Sequence, residues 1–327
     1  MRDLGLNLLG AIVIPTVLTA VLSFGLTRFL SKKFKAMGIT GVDIHKSDKP
    51  VTAEMGGLAV LISCAFGASI FYMLDPELPA IFFAGFITII LVGIVGVIDD
   101  LVALRQRYKP FLVAVASAPL ILASFGTTGV YLPLLGTIPF GIFYPLLVVP
   151  LGVATSANLS NMLAGFNGLE AGCTLIALGT LTFLSVVLGK QLGIALGSLF
   201  LAGYLGFFVL NWYPAKIFPG DTGTLMAGAA IVTIGFASGL VFAAIALSIP
   251  AALDFTLKIL TKRPFAARSV HGNTIISSNG TLSPPNYPAL PHAFMKLAPL
   301  SEKDLVASIL ALEAIFAVIG AAITLAL

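Results

Sequence analysis

Apolar runs long enough to cross a hydrocarbon core, about 20 residues each, follow one another from end to end of this chain. They fall at 6–30, 56–74, 80–98, 110–126, 141–157, 171–188, 193–210, 222–238, 240–260 and 305–327. With 58% hydrophobic and 10% charged residues over 327 positions, a soluble fold would lack the polar side chains to cover its surface. The reading is an all-α polytopic membrane protein with about ten transmembrane helices. Its least defined boundary is Ser238-Gly239, between the eighth and ninth runs, where one long or re-entrant segment fits the pattern as well.

Basic residues give the orientation. All but two of the 18 Lys and Arg fall in loops on one side of the ten crossings, and only Arg2 and Lys190 fall on the other. Cytosolic loops collect Lys and Arg, so that side is expected to be cytosolic and both termini outside, in a cell membrane or an ER-type membrane. The net charge of +4 then reads as membrane orientation rather than affinity for nucleic acid. The first run is too long for a signal-peptide core and is followed by a basic cluster instead of a cleavage site, so it is expected to stay as a helix. Cys64 and Cys173 lie inside runs, as small apolar core residues, and no cysteine spacing suggests a metal.

Five polar clusters interrupt the apolar sequence, and the crossing count puts all five on the cytosolic side. They are Asp43–Glu54, Asp99-Asp100 with Lys109, Asn158–Glu170, Phe218-Pro-Gly-Asp221 and Arg263–His271. The whole of 1–327 reads as one membrane domain, with 261–303 a cytosolic loop over the active site. In that loop Asn279-Gly280, between Ile275-Ile276 and Leu282, suggests a small hairpin. The loops expected outside, Asp75–Pro79, Thr127–Phe140 and Gly189–Leu192, are short and carry no candidate site.

Two adjacent carboxylates at the end of a helix are disfavoured by the helix dipole and by each other, so Asp99-Asp100 needs compensation. Arg105 and Arg107 could supply it at a solvated helix end; alternatively the pair binds magnesium, orients a substrate or takes a proton, with Lys109 as a point charge for phosphate. Asp221 opens a span and suits an N-cap, yet a helix start also welcomes phosphate. Phe218 is an interfacial aromatic or a ring on which a base stacks. The amides of Asn158–Asn167 suit hard cations and nucleobases, but as a bare pattern they also suit a tight turn between helices. Asp254 and Glu313 sit inside runs; Lys258, one turn on, answers for the first, and nothing in the sequence answers for the second.

In order, Asp43-Ile-His-Lys46 with Glu54-Met-Gly-Gly57, Asp99-Asp100 with Lys109, Asn161-Met-Leu-Ala-Gly-Phe-Asn167-Gly-Leu-Glu-Ala-Gly172 and Phe218-Pro-Gly-Asp221-Thr resemble the polyprenyl-phosphate N-acetylhexosamine-1-phosphate transferases, within glycosyltransferase family 4. This superfamily holds bacterial phospho-MurNAc-pentapeptide translocase and eukaryotic UDP-GlcNAc–dolichyl-phosphate GlcNAc-1-phosphate transferase. The Asn-Gly-Leu-Glu-Ala-Gly form is most similar to the eukaryotic and archaeal branch. The resemblance implies that Asn161 and Asp221 hold magnesium, with manganese as the alternative ion. It further implies that Phe218, Asn167, the Gly165 backbone and Ile44 bind the nucleoside, and that Lys46 and Glu54 close over nucleotide and sugar. Lys109 would meet the lipid phosphate beside the catalytic pair Asp99 and Asp100. The family's triple-His or Arg-His-Arg stretch is replaced here by Arg263-Pro-Phe-Ala-Ala-Arg268-Ser-Val-His271. Arg268 and His271, with Arg263 as substitute, are its candidate diphosphate and sugar contacts.

The implied activity is transfer of a sugar-1-phosphate, GlcNAc-1-phosphate, from a UDP-N-acetylhexosamine to polyprenyl or dolichyl phosphate at the cytosolic face. UMP is released, in the first step of lipid-linked oligosaccharide assembly for protein N-glycosylation. Expected partners are those two substrates and membrane lipid, with a homodimer compatible with the family and no nucleic acid. The alternatives are the same chemistry on another UDP-N-acetyl-sugar or on undecaprenyl phosphate and, from a different class, a secondary transporter of nucleotide sugars or ions. Transporters place binding groups near the midplane on interrupted helices, whereas these candidates gather at span ends.

Overall fold

A computed structural model describes residues 6–133, 135–260 and 274–326. Helices dominate: α1 (Leu6–Met37), α2 (Gly57–Leu74), α3 (Ala80–Val102), α4 (Lys109–Ala116), α5 (Ala118–Ala123), α6 (Val149–Leu163), α7 (Leu169–Val187), α8 (Gln191–Asn211), α9 (Gly220–Ser238), α10 (Val241–Ala246), α11 (Ile249–Ile259), α12 (Leu290–Leu297) and α13 (Glu302–Ala326). A π-helical turn, Tyr144–Val148, leads into α6.

Among the described residues eight helical segments are long and apolar enough to cross a membrane, not ten. The two that fall short have one cause in common. The run expected at 110–126 breaks at Ser117 into α4 and α5, and the run at 240–260 breaks at Leu247-Ser248 into α10 and α11. In each case a proline, Pro119 or Pro250, occupies the first turn of the second piece, where it fits a helix start and has no N–H to bond back into a preceding helix. Boundary Ser238-Gly239 is a true helix end, with Gly239 left-handed at φ 69°.

α9 lies at the centre, ringed by α2, α3, α6, α7 and α8. Small residues allow this, since lipid-embedded helices associate by close packing rather than by hydrophobic expulsion. A Cβ on Gly96 of α3 would stand 2.5 Å from the backbone of Asp221 and Thr222, and one on Gly228 of α9 would stand 2.1 Å from the Ser156 carbonyl of α6. Outer helices show the reverse face: Val17 and Val21 of α1 and Ile315, Val318 and Ile319 of α13 are exposed apolar side chains, as lipid contact requires. The chain is an integral membrane protein.

Among the described residues there are also three two-stranded antiparallel hairpins. The foreseen one pairs β5 (Ile275–Ile276) with β6 (Leu282–Ser283) around Gly280. Two others were not foreseen: β1 (Thr40–Val42) with β2 (Val51–Ala53), and β3 (Gly129–Leu132) with β4 (Gly136–Pro139). The first carries Asp43–Lys46 at its turn, and β2 is bridged in parallel to Ile217. That bridge ties the first polar cluster to the fourth.

Candidate active site

The last turn of α3, the first residue of α4, the end of α6 and the first turn of α9 meet at one end of the bundle. Asp221 is their common point. Its Oδ2 accepts a hydrogen bond from Lys109 Nζ at 2.5 Å and its Oδ1 one from Asn161 Nδ2 at 2.7 Å. Lys109 also pairs with Asp99, whose Oδ1 accepts from the Leu104 backbone N–H at 2.6 Å. Asn161 Nδ2 further donates to Thr224 Oγ1 at 2.7 Å, which leaves its amide oxygen as an acceptor.

Asp100 does something else. Its carboxylate accepts from the backbone N–H of Asp221 at 2.6 Å, from the N–H of Thr222 at 3.0 Å and from Thr222 Oγ1 at 2.6 Å. These N–H groups belong to the first turn of α9, where a helix has no internal acceptors to offer. Asp221 is therefore not the cap of its own helix; Asp100 caps that helix from α3, with its negative charge at the positive end of the dipole. Gly220 makes the approach feasible: it is left-handed at φ 67°, and a Cβ there would lie 2.5 Å from Asp100 Oδ2. The compensation that the adjacent carboxylates required comes from Lys109 for Asp99 and from a helix start for Asp100. Arg105 and Arg107 form no ion pair among the described residues.

Beside this cluster opens a cavity of about 430 Å³, lined in part by Ile44, Glu54, Asn161, Gly165, Phe218 and Asp221. All six were expected site residues. Backbone pairing holds Phe218 in place: its N–H donates to the Ala53 carbonyl at 2.7 Å and its carbonyl accepts from Gly56 N–H at 2.8 Å. Glu54 has its carboxyl pushed above the usual range, first by burial and then by the negative charges of Asp100 and Asp221.

Two expected residues stand in the cavity wall instead of its lining. Asn167 Oδ1 accepts from Lys46 Nζ at 2.8 Å and from Ala215 N–H at 2.7 Å, while its Nδ2 donates to Asp43 at 3.1 Å. Lys46 pairs with Asp43 and lies 3.3 Å from Glu302, which also accepts the Asn167 N–H at 2.9 Å. Asp43, Lys46, Asn167 and Glu302 thus lock the first hairpin to the start of α7 and the start of α13. Arg263, Arg268 and His271 lie outside the described residues.

Several lining residues escaped the sequence reading. His45 stacks on Phe166 with centroids 4.1 Å apart, and Asn211, Thr224 and Glu170 also face the cavity. Asp43 and His45 stood within a noted polar cluster and Glu170 within a noted motif; Glu302, after a Pro-rich loop, gave no signal of its own. Asp254 and Lys258 do pair, at 2.5 Å: Asp254 Oδ1 holds the end of the last loop by accepting from Leu290 N–H at 2.9 Å, and Lys258 Nζ donates to the Met162 carbonyl at the end of α6 at 2.6 Å.

The donor set suits a divalent cation. Asp99 and Asp221 share one ammonium, Lys109, and Asp221 is also reached by the Asn161 amide nitrogen, whose oxygen stays available as a donor to a cation. Magnesium characteristically takes one or two carboxylates together with substrate phosphates, so the residues present fit such an ion.

Comparison with known proteins agrees with this layout. The pattern of glycosyl transferase family 4 matches residues 82–239, the stretch from α3 to the end of α9. A protein of Saccharolobus solfataricus that bears the name UDP-N-acetylglucosamine–dolichyl-phosphate N-acetylglucosaminephosphotransferase is 33% identical over 95% of this chain and 96% of its own length. A Methanocaldococcus jannaschii protein named as a glycosyltransferase is 32% identical over 95% and 96%. Similarity to bacterial proteins is more partial: an undecaprenyl-phosphate N-acetylglucosaminyl 1-phosphate transferase by name, from Bacillus subtilis, is 34% identical over 57% of this chain and 51% of its own. With motifs, cavity and near full-length similarity to archaeal members in agreement, this chain belongs to glycosyl transferase family 4.

Proposed function

We propose that the protein transfers N-acetylglucosamine-1-phosphate from UDP-N-acetylglucosamine to a polyprenyl phosphate of the dolichyl type, at the cytosolic membrane surface, releasing UMP. An oxygen of the lipid phosphate attacks the β-phosphorus of the nucleotide sugar, and the bond from that phosphorus to the bridging oxygen breaks, leaving with UMP. The observation that carries the reading is the Asp99–Lys109–Asp221–Asn161 cluster beside a cavity lined by Phe218, Ile44 and Gly165. Relatives named for this reaction support the choice of sugar and lipid.

Phosphoryl transfer asks a protein chiefly for positioning and charge neutralisation. Asp221 and Asn161 would hold magnesium, or manganese, which when bound neutralises charge on the diphosphate. Lys109, fixed between Asp99 and Asp221, presents a cation to the phosphate of the acceptor. Asp99 keeps that cation oriented through its own anchor on Leu104, and Asp100 sets the start of α9, so that Asp221 faces the cavity. Phe218 offers a ring face to uracil, and the Asn167 network shapes the nucleoside wall from behind. No base is required, because a phosphate monoester with a second pKa near 6 is mostly dianionic at neutral pH.

Purified full-length protein supplied with magnesium, UDP-N-acetylglucosamine and dolichyl phosphate is expected to release UMP and to form a lipid whose mass corresponds to the added sugar diphosphate. If no UMP appears while the protein in vesicles moves labelled nucleotide sugar across the bilayer, a transporter replaces the enzyme.

A further inference from the structure

Away from the catalytic cluster, a groove of about 870 Å³ runs between the end of α1 and the segment after α8. Arg28, Lys32 and Lys35 of α1 and Lys216 opposite line it. The first three are spaced four and three apart and therefore share one helix face. None of the four makes an ion pair among the described residues, and segment 261–273 contains no acidic residue that could supply one. The acids lining the groove are Asp43 and Asp48, and Asp43 is already paired with Lys46. A surplus of positive charge faces an open concavity.

The same face continues into the membrane. Phe24, four residues before Arg28, lines the groove, and Val21 and Val17 follow at helical spacing, all three exposed. Basic head end and apolar tail end thus lie along one stripe of α1: Val17, Val21, Phe24, Arg28, Lys32 and Lys35. A free anion has no use for the apolar half.

We propose that this groove is a binding site for an anionic glycerophospholipid of the bilayer, with its headgroup phosphate among Arg28, Lys32, Lys35 and Lys216 and an acyl chain along Phe24, Val21 and Val17. Residues that juxtapose basic side chains to a membrane surface attract anionic lipid, each to the extent of about fivefold in affinity.

The test is native mass spectrometry of the full-length protein released from bilayer discs containing equal phosphatidylglycerol and phosphatidylcholine. Wild type is expected to retain phosphatidylglycerol preferentially. Replacing Arg28, Lys32 and Lys35 together by Gln removes that preference, Lys216→Gln reduces it about fivefold, and a control triple, R105Q with R107Q and K303Q, keeps it. Absence of preference in wild type, its survival in the α1 triple, or equal loss in the control triple overturns the proposal. So does one-for-one displacement of phosphatidylglycerol by dolichyl phosphate, which would assign the groove to the acceptor.

Discussion

Asp99 and Asp100 are neighbours in sequence but face different partners, and substitution should separate them. Asp100→Asn removes the acceptor charge from the first turn of α9, so it is expected to lower the unfolding midpoint, at the cost of about 1–2 kcal/mol typical of a lost cap, and activity with it. Asp221→Asn leaves that cap in place and removes the proposed ion ligand. UMP release should fall by at least about a hundredfold with a smaller change in midpoint than in the Asp100 variant. Measuring both quantities on both variants checks the division; equal loss of stability in the two would refute it. Lys109→Met should lower kcat by about 10²–10³, as loss of an electrostatic contact to the transferring group does. A normal rate in that variant would remove Lys109 from the reaction.

At the level of elements, the first turn of α9 depends on one glycine. Gly220→Ala would place a methyl group 2.5 Å from Asp100 Oδ2 at a backbone φ of 67°, so it is expected to lose both stability and turnover, and Gly220→Asn, which tolerates the left-handed region better, should lose less backbone strain but clash with Asp100 as well. Thermal unfolding of both, beside Gly239→Ala, where nothing lies within 4 Å of a Cβ, separates crowding from strain. Much of this element structure was legible in the chain. Long apolar runs without internal breaks became single helices, and Asn279-Gly280 became a hairpin turn. Hydropathy failed at Ser117 and at Leu247-Ser248, because averaging over a window does not register that Pro119 and Pro250 start new helices whereas Pro15 stays inside α1. It also failed at β1 and β2, three residues each, which hold together by pairing with one another and with Ile217 rather than by any local alternation. Asn167 illustrates the corresponding limit for the site. Its motif placed it near the nucleotide, but its side chain is committed to Lys46, Asp43 and Ala215, partners from distant segments that no spacing could reveal.

Across the whole molecule, the buried centre and the site are one construction. α9 is enclosed along its length and its first turn carries Asp221, so packing far from the cavity sets the position of the proposed ion ligand. Gly228→Leu, midway along α9, would force a side chain into the Ser156 carbonyl at a position where even a Cβ stands at 2.1 Å. Failure to fold, seen as aggregation during size-exclusion chromatography, is the expected result. A chelator should abolish UMP release by the intact protein and added magnesium should restore it without any change in oligomeric state; activity that persists in excess chelator would exclude the ion from the reaction.

The cap that Asp100 places on α9 has a consequence for anyone who wishes to redirect this enzyme. A library that randomises both acids of the pair would return chains destabilised at the second by about 1–2 kcal/mol, and their lowered output would be mistaken for lost chemistry. Diversity is better aimed at Ile44, His45 and Phe218, which face the cavity without holding a helix in place.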